Sequence, residues 1–240
     1  GGLTACPLHR TWPGMTSQNR RAALTVRNAT LDDVPRIVDL LKRAYPDALP
    51  YSAGMIRGQI ATFADGQFVV EYEDDVVGYA ASFRIAEELA LAPHTWTAIT
   101  GGGYGARHDP KGDWLYGMEV CVDPALRRLR IGQRLYDARR QLCEGEELKG
   151  IVFGGRMPNW AKRRKDYPDP LDYVRAVGEK KVVDPVVNFH LRAGFEAVGV
   201  LENYDPDDRA SGGCATHMVW RNPYAEDIDT RGNLAYGHNE

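Results

Sequence analysis

The chain has 240 residues, 43% apolar and 26% charged, which suits one domain with additions or two small ones and excludes a disordered, collagenous or coiled-coil protein. A net charge of −3 gives no overall basic surface, so no nucleic-acid partner is expected, and no window nears the ~18 apolar residues of a spanning helix, so no membrane partner is expected either. Residues 1–22 carry Arg10, Arg20 and Arg21 without the apolar run of a signal peptide, so they read as a leader outside the fold, and the expected localisation is cytoplasmic.

Residues 24–29 alternate as a strand. Thr30 with Asp32 and Asp33 then opens a helix whose Val34, Ile37, Leu40, Leu41 and Ala44 share a face until Pro46. Ser52 caps a second helix over residues 55–62, and residues 67–72 and 76–84, joined by Glu73-Asp74-Asp75, read as a hairpin. Residues 86–100 have helical character broken by Pro93 and followed by Gly101-Gly102-Gly103. Residues 114–122 form the strongest strand, stopped by Asp123-Pro124, and a helix over 130–143 follows with Ile131, Leu135, Ala138 and Leu142 on one face.

A strand at 150–154 leads into a segment, 156–183, so rich in Lys, Arg, Asp and Pro that it reads as a basic insertion lying over the domain rather than core. Asp184-Pro185 starts a helix to Arg192, Gly194-Phe195 turns into a strand at 196–201, and a last strand covers 215–221 before a polar tail. Alternating strands and helices in the middle, with hairpins at both ends, define a mixed α/β (α+β) class with a partly antiparallel sheet in one domain over 23–224, with 225–240 as tail.

Cys6, Cys121, Cys143 and Cys214 form no C-x-x-C pair, and the six histidines show no metal spacing, so no metal is expected. The chemistry concentrates at residues 120–136. A strand there runs through a Pro-containing turn into an arginine-rich loop and a helix start. A helix start carries unpaired N–H groups and about half a positive charge, so it should repel cations. Arg127, Arg128, Arg130 and Arg134 nevertheless crowd it, which makes sense if a diphosphate sits there, with Gly132 allowing close approach.

This stretch resembles the GNAT N-acetyltransferase superfamily, whose acetyl-CoA loop reads Gln/Arg-x-x-Gly-x-Gly/Ala. Arg127 takes the first position, Gly132 the last, and Arg130 replaces the central glycine. Asn188-Phe189-His190-Leu191-Arg192-Ala193-Gly194-Phe195 is similar to the family's helix ending before Gly-Phe. Residues 115–122 and 130–139 are closer still to GNAT domains found ahead of carbon–nitrogen hydrolase domains.

The resemblance implies a twisted, mostly antiparallel sheet of six or seven strands flanked by helices on both faces. It also implies acetyl-CoA as co-substrate, held by Cys121, Val122, Arg127, Arg128, Leu129, Arg130, Ile131, Gly132, Gln133 and Asn188. The strand ending at Val122 would splay from the 151 strand and align the pantetheine arm, with one N–H polarising the thioester for ~3–4 kcal/mol of transition-state stabilisation. Glu119 is the expected base, and His190 takes the position of the family's proton donor, with Tyr136, Tyr173 and Tyr204 as rivals.

Cys121 as an acyl-carrying thiolate and Lys162-Arg163-Arg164-Lys165 as a phosphate patch are weaker readings than packing and solvation. Trp96, Trp114 and Trp160 are candidates to line the acceptor pocket. The expected function is transfer of an acetyl group to a small-molecule or peptide amine, with a homodimer compatible. The alternatives are a non-catalytic acetyl-CoA-binding regulatory module and an unrelated nucleotide-binding fold.

Overall fold

The computed structural model describes residues 23–225. The expected leader and most of the expected tail therefore lie outside the described residues. The chain builds β1 (Thr25–Asn28), a 3-10 turn at Leu31–Asp33, α1 (Val34–Ala44), α2 (Ala53–Thr62), β2 (Phe68–Tyr72) and β3 (Asp75–Ile85). The helical stretch around Pro93 divides into α3 (Glu87–Leu91) and α4 (Trp96–Thr100). Next come β4 (Trp114–Val122), a 3-10 segment at Pro124–Leu129, α5 (Ile131–Gly145) and β5 (Gly150–Gly155). The last elements of the described residues are α6 (Trp160–Arg163), α7 (Pro170–Gly178), α8 (Pro185–Arg192), β6 (Glu196–Leu201) and β7 (Ala215–Arg221).

The strands make one seven-stranded sheet in the order β1-β2-β3-β4-β5-β7-β6, antiparallel throughout except where β4 lies parallel to β5. Apolar burial explains the layers. Ile37, Leu40 and Leu41 of α1 and Ile56 of α2 pack on Tyr79, Ala81 and Phe83 on one face, while Ile131 and Leu135 of α5 pack on Val70, Val77 and Ala80 on the other.

Segment 156–183 corrects the sequence reading. Its charges face solvent, but Met157, Trp160, Tyr173, Val174, Ala176 and Val177 are buried with Phe153, Val187 and Phe195, so α6 and α7 belong to the core. Their spacing gives two short helices one apolar face each, which average composition hides. Asn222, just past β7, is 2% exposed and clamps the turn before β5, its N–H on the Lys149 carbonyl at 2.9 Å and its amide on the Leu148 carbonyl at 2.8 Å.

Two features of β4 position the site. It pairs with β5 only at Trp114, Leu115 and Tyr116, after which β5 follows β7 and β4 follows β3, so the β5-facing edge of Gly117–Val122 has no strand partner among the described residues. Its register against β3 also slips, from Ser82 opposite Gly117 to Ala81 opposite Glu119, which makes Met118 the extra residue of a β-bulge.

Candidate active site at the splayed strands

Strand alternation would place Met118 and Glu119 on opposite faces. The bulge cancels one step. Met118 lies in the cluster under α1 and α2, and Glu119 meets the Tyr45 hydroxyl at 2.8 Å on that same face, while Val120 and Val122 turn toward α5. The Glu119 side chain is thus aimed to the side of the sheet opposite the α5 packing.

Its carboxyl group is enclosed by Tyr45, which follows α1, Tyr51, which precedes α2, and Cys121, and it feels the Arg139 charge from the α5 side. Desolvation raises its pKa above the usual carboxylate range, against the Tyr45 and Tyr51 hydroxyls and the Arg139 charge, which favour the anion. A carboxylate so raised is a stronger base near neutral pH, and it keeps a partly exposed surface through which a substrate proton can reach it. The Tyr51 hydroxyl also donates to the Met118 carbonyl at 3.4 Å, tying the helix layer to the bulge.

The other half of the candidate site lies where β4 ends. Asp123 caps the turn, its carboxylate accepting from the Ala125 N–H at 2.9 Å and pairing with Arg43 Nε at 2.9 Å. Arg130 then adopts φ 56° and ψ 34°, the left-handed conformation that the family's central glycine supplies freely and that costs another residue roughly 1–2 kcal/mol. The loop thus accommodates the arginine that replaces the glycine by holding it in a strained conformation.

No side chain caps α5, and its first N–H to find an acceptor within the helix is that of Arg134, on the Arg130 carbonyl at 3.2 Å. The N–H groups of Ile131, Gly132 and Gln133 therefore point ahead of the helix. Arg127, Arg128, Arg130 and Arg134 are all exposed, and none has a carboxylate within ion-pair distance among the described residues. A Cβ on Gly132 would come 3.3 Å from the Phe189 ring of α8, so the helix start is wedged between β4 and α8. Four cations without counter-ions around three free N–H groups form a place for a polyanion.

The structure brings Glu119, Cys121, Val122 and the loop 127–133 onto one strand and its exit. It treats the other expected residues differently. Cys121 is 2% exposed in the apolar cluster and burial raises its thiol pKa, so it packs as a neutral group, although its backbone stays on the open edge. Leu129 is a half-buried apolar contact of the α5 layer, and Gln133 donates to Asp137 at 2.9 Å. Asn188 accepts from the Asp184 N–H at 3.0 Å, which leaves its amide nitrogen as the donor for a ligand.

His190 is 7% exposed among Tyr136, Phe153, Phe189 and Phe195, with Nδ1 unpartnered, and burial lowers its pKa to about 4. The protonated imidazole expected there is absent at neutral pH. Tyr136 is buried in the same cluster, and Tyr173 donates to Asp184 at 2.8 Å, which removes it from the site.

Tyr204 belongs to a directed chain. His94 Nδ1 lies 2.8 Å from the Ala92 carbonyl, which can only accept, so the ring proton sits on Nδ1. Burial keeps that imidazole neutral, so Nε2 accepts from the Tyr116 hydroxyl at 2.8 Å and the Tyr116 oxygen in turn accepts from Tyr204 at 2.9 Å. Tyr204 thus sends its proton into the chain and offers a lone pair, not a proton, to any further neighbour.

His217 bonds the Ala90 carbonyl at 3.0 Å. Trp114 and Trp160 are core, whereas Trp96 is half-buried beside Tyr51 with ring centroids 5.9 Å apart. Arg164 stacks over Trp160 and Arg163 pairs with Asp166. Among the described residues no group of three or more His, Cys, Asp or Glu is arranged to hold a metal, and no helix is long and apolar enough to cross a membrane.

Sequence reasoning missed Tyr45, Tyr51 and Arg139. The tyrosines sit at helix boundaries, where periodicity gives no face. Arg139 falls in the buried series Ile131, Leu135, Arg139, Cys143, and its charge diverts an apolar count to the neighbouring positions.

The chain belongs to the Acetyltransferase (GNAT) family, whose model matches residues 34–164, and the sheet with one parallel pair between splayed strands is that of a GNAT-like protein. The resemblance read from the sequence is borne out. The chain is 38% identical over 199 residues to the probable hydrolase YhcX of Bacillus subtilis (strain 168), a match covering 83% of this chain and 39% of YhcX. It thus spans about two fifths of that relative. It is 30% identical over 206 residues to the uncharacterized N-acetyltransferase YkwB of the same organism, covering 84% of this chain and 90% of YkwB. Among solved structures, the GphF GNAT-like decarboxylase in complex with isobutyryl-CoA matches with TM-score 0.69 and 26% identity, over 82% of this chain and 99% of that one. The family and YkwB carry the name of acetyl transfer, whereas YhcX is named as a hydrolase and GphF as a decarboxylase.

Proposed function

We propose that the protein transfers the acetyl group of acetyl-CoA to an amine by direct attack in a ternary complex. The observation that carries this reading is the pairing, on one strand, of an uncapped and arginine-rich helix start at its exit with a proton-accepting carboxylate three residues before its end. The diphosphate of CoA matches the free N–H groups of Ile131, Gly132 and Gln133, with Arg127, Arg128 and Arg130 adding charge-assisted bonds. The open edge of Gly117–Val122 then offers backbone groups to the pantetheine arm, and a β4 N–H to the thioester carbonyl.

Glu119 takes a proton from the amine, directly or through water. The nitrogen attacks the carbonyl carbon, the β4 N–H group stabilises the oxyanion, and collapse expels the CoA thiolate. The base contributes about 10²–10⁴-fold, while holding amine and thioester together supplies much of the rest. GphF in complex with isobutyryl-CoA supports an acyl-CoA, and YkwB supports an amine acceptor. The acceptor is a small-molecule or peptide amine, the site of action is the cytoplasm, and a homodimer is compatible.

A second reading, a non-catalytic acetyl-CoA-binding regulatory module, is favoured by one observation: neither His190 nor Tyr204 offers a proton to a leaving thiolate at neutral pH. Glu119→Gln separates the two. For an enzyme, amine acetylation falls by about 10²–10⁴-fold while acetyl-CoA affinity holds; a wild type that acetylates none of a panel of amines favours the module.

A further inference from the structure

Arg139, in the middle of α5, is 1% exposed and has no carboxylate within ion-pair distance among the described residues. Taking a guanidinium out of water without a counter-ion costs several kcal/mol, so a packing role alone would be better served by an apolar residue. All of its hydrogen bonds go to one place. Nη2 donates to the Ala81 carbonyl of β3 at 2.7 Å and to the Glu119 carbonyl of β4 at 2.5 Å, and Nε donates to the Ser82 hydroxyl at 2.8 Å.

Ala81 and Ser82 are the two β3 residues between which the register slips, and Glu119 is the residue just past the bulge. The guanidinium therefore closes the gap that the extra residue Met118 opens in the ladder. Gly117 makes room for it, since a Cβ there would lie 2.9 Å from Arg139 Nη1. That bulge is what turns Glu119 toward the acceptor side of the sheet.

We propose that Arg139 is a positioning residue for acyl transfer: it pins the β4 bulge and so fixes the Glu119 side chain on the face where the amine is deprotonated. The inference rests on the acyltransferase reading for its catalytic meaning and on the geometry alone for its structural part. Arg139 touches Ser82 of β3 and the Tyr136 ring of its own helix, and its charge also acts on Glu119 of β4, Tyr79 of β3, Tyr51 before α2 and His190 of α8. The Glu119 carboxylate bonds the Tyr45 hydroxyl and is favoured by that of Tyr51, and it also acts electrostatically on Tyr79, Cys121, Tyr136, Tyr204 and Arg139. Arg139 holds the Glu119 carbonyl rather than its carboxylate, but its charge still favours the Glu119 anion, so removing it raises the pH at which Glu119 protonates.

The test combines Arg139→Met and Arg139→Lys with a readout that mere loss of stability does not move. The Glu119 carboxyl carbon is followed by NMR in protein labelled at glutamate, assigned through Glu119→Gln, alongside the acid limb of kcat/KM and acetyl-CoA affinity. In folded Arg139→Met the Glu119 midpoint should rise by about one pH unit or more, the acid limb should rise with it, and kcat should fall at least about tenfold at unchanged acetyl-CoA affinity. Arg139→Lys keeps the charge and loses the fork, so its midpoint should stay closer to wild type while kcat is only partly recovered. If Arg139→Met does not fold, Gly117→Ala displaces the guanidinium and should shift the midpoint upward as well. An unmoved midpoint in the folded variant overturns the proposal. A shifted midpoint in a protein that acetylates no amine upholds the positioning role and overturns the acyltransferase reading instead.

Discussion

Helices α5 and α8 pack against each other beside the split in the sheet, with Gly132 under Phe189 and the Tyr136 and Phe189 rings 5.9 Å apart, yet they begin in opposite ways. The start of α8 is saturated. Asp184 is buried and accepts from the N–H groups of Val186, Val187 and Asn159 and from the Tyr173 hydroxyl, at 2.8 to 3.2 Å. The start of α5 has an arginine in a strained conformation where a cap should be, three N–H groups without helix acceptors, and cations where the dipole favours acids. One helix start is saturated from within the protein, the other is the one proposed to take a ligand, and substitutions should separate the two roles.

The largest effect belongs to α8. Asp184→Ala strips the cap and leaves the buried Tyr173 hydroxyl without its acceptor, so unfolding free energy should fall by about 2–4 kcal/mol in denaturant titration, with acetyl-CoA affinity nearly unchanged in the folded fraction. A drop in affinity without loss of stability would break the contrast.

The far end of α8 sharpens it. His190, unpartnered and lowered to about 4, binds its proton more readily unfolded than folded. Its contribution is present above the ordinary histidine pKa near 6.5 and is lost as pH falls toward 4, for a total of about 3 kcal/mol. His190→Phe should therefore lose markedly less stability than wild type between pH 7.5 and 4.5, as read by thermal unfolding. An identical acid loss in both proteins would show that the ring is not the group responsible.

At α5 the effects should fall on binding instead. Replacing Arg127, Arg128 and Arg130 together by Gln should weaken acetyl-CoA binding by about 10–100-fold and flatten its salt dependence, with a melting temperature at or above that of wild type because exposed, unpaired arginines stabilise little. Calorimetry at two salt concentrations measures both quantities.

Much of this was legible before the structure. The Thr and Ser caps, the Pro stops and the apolar spacings give the elements to within a few residues, and the arginines crowded at a helix start against its dipole mark where the structure has an uncapped helix N-terminus. What was hidden depends on three-dimensional register. Residues 156–183 carry their apolar positions on two short helices, so charge outweighs pattern when the segment is read as a whole. A one-residue bulge at Met118 is invisible in an unbroken β-rich run, yet it decides which face Glu119 occupies. Proton direction in the His94, Tyr116 and Tyr204 chain follows from which carbonyl His94 meets, a contact that sequence spacing cannot supply.

The central claim is that the open start of α5 holds the diphosphate of an acyl-CoA. Calorimetric titration of the wild-type protein with acetyl-CoA and with ATP, at moderate and then high salt, tests it most directly. The account predicts micromolar acetyl-CoA binding that weakens with salt, with ATP bound more weakly. Absence of acetyl-CoA binding, or a preference for ATP, would contradict it.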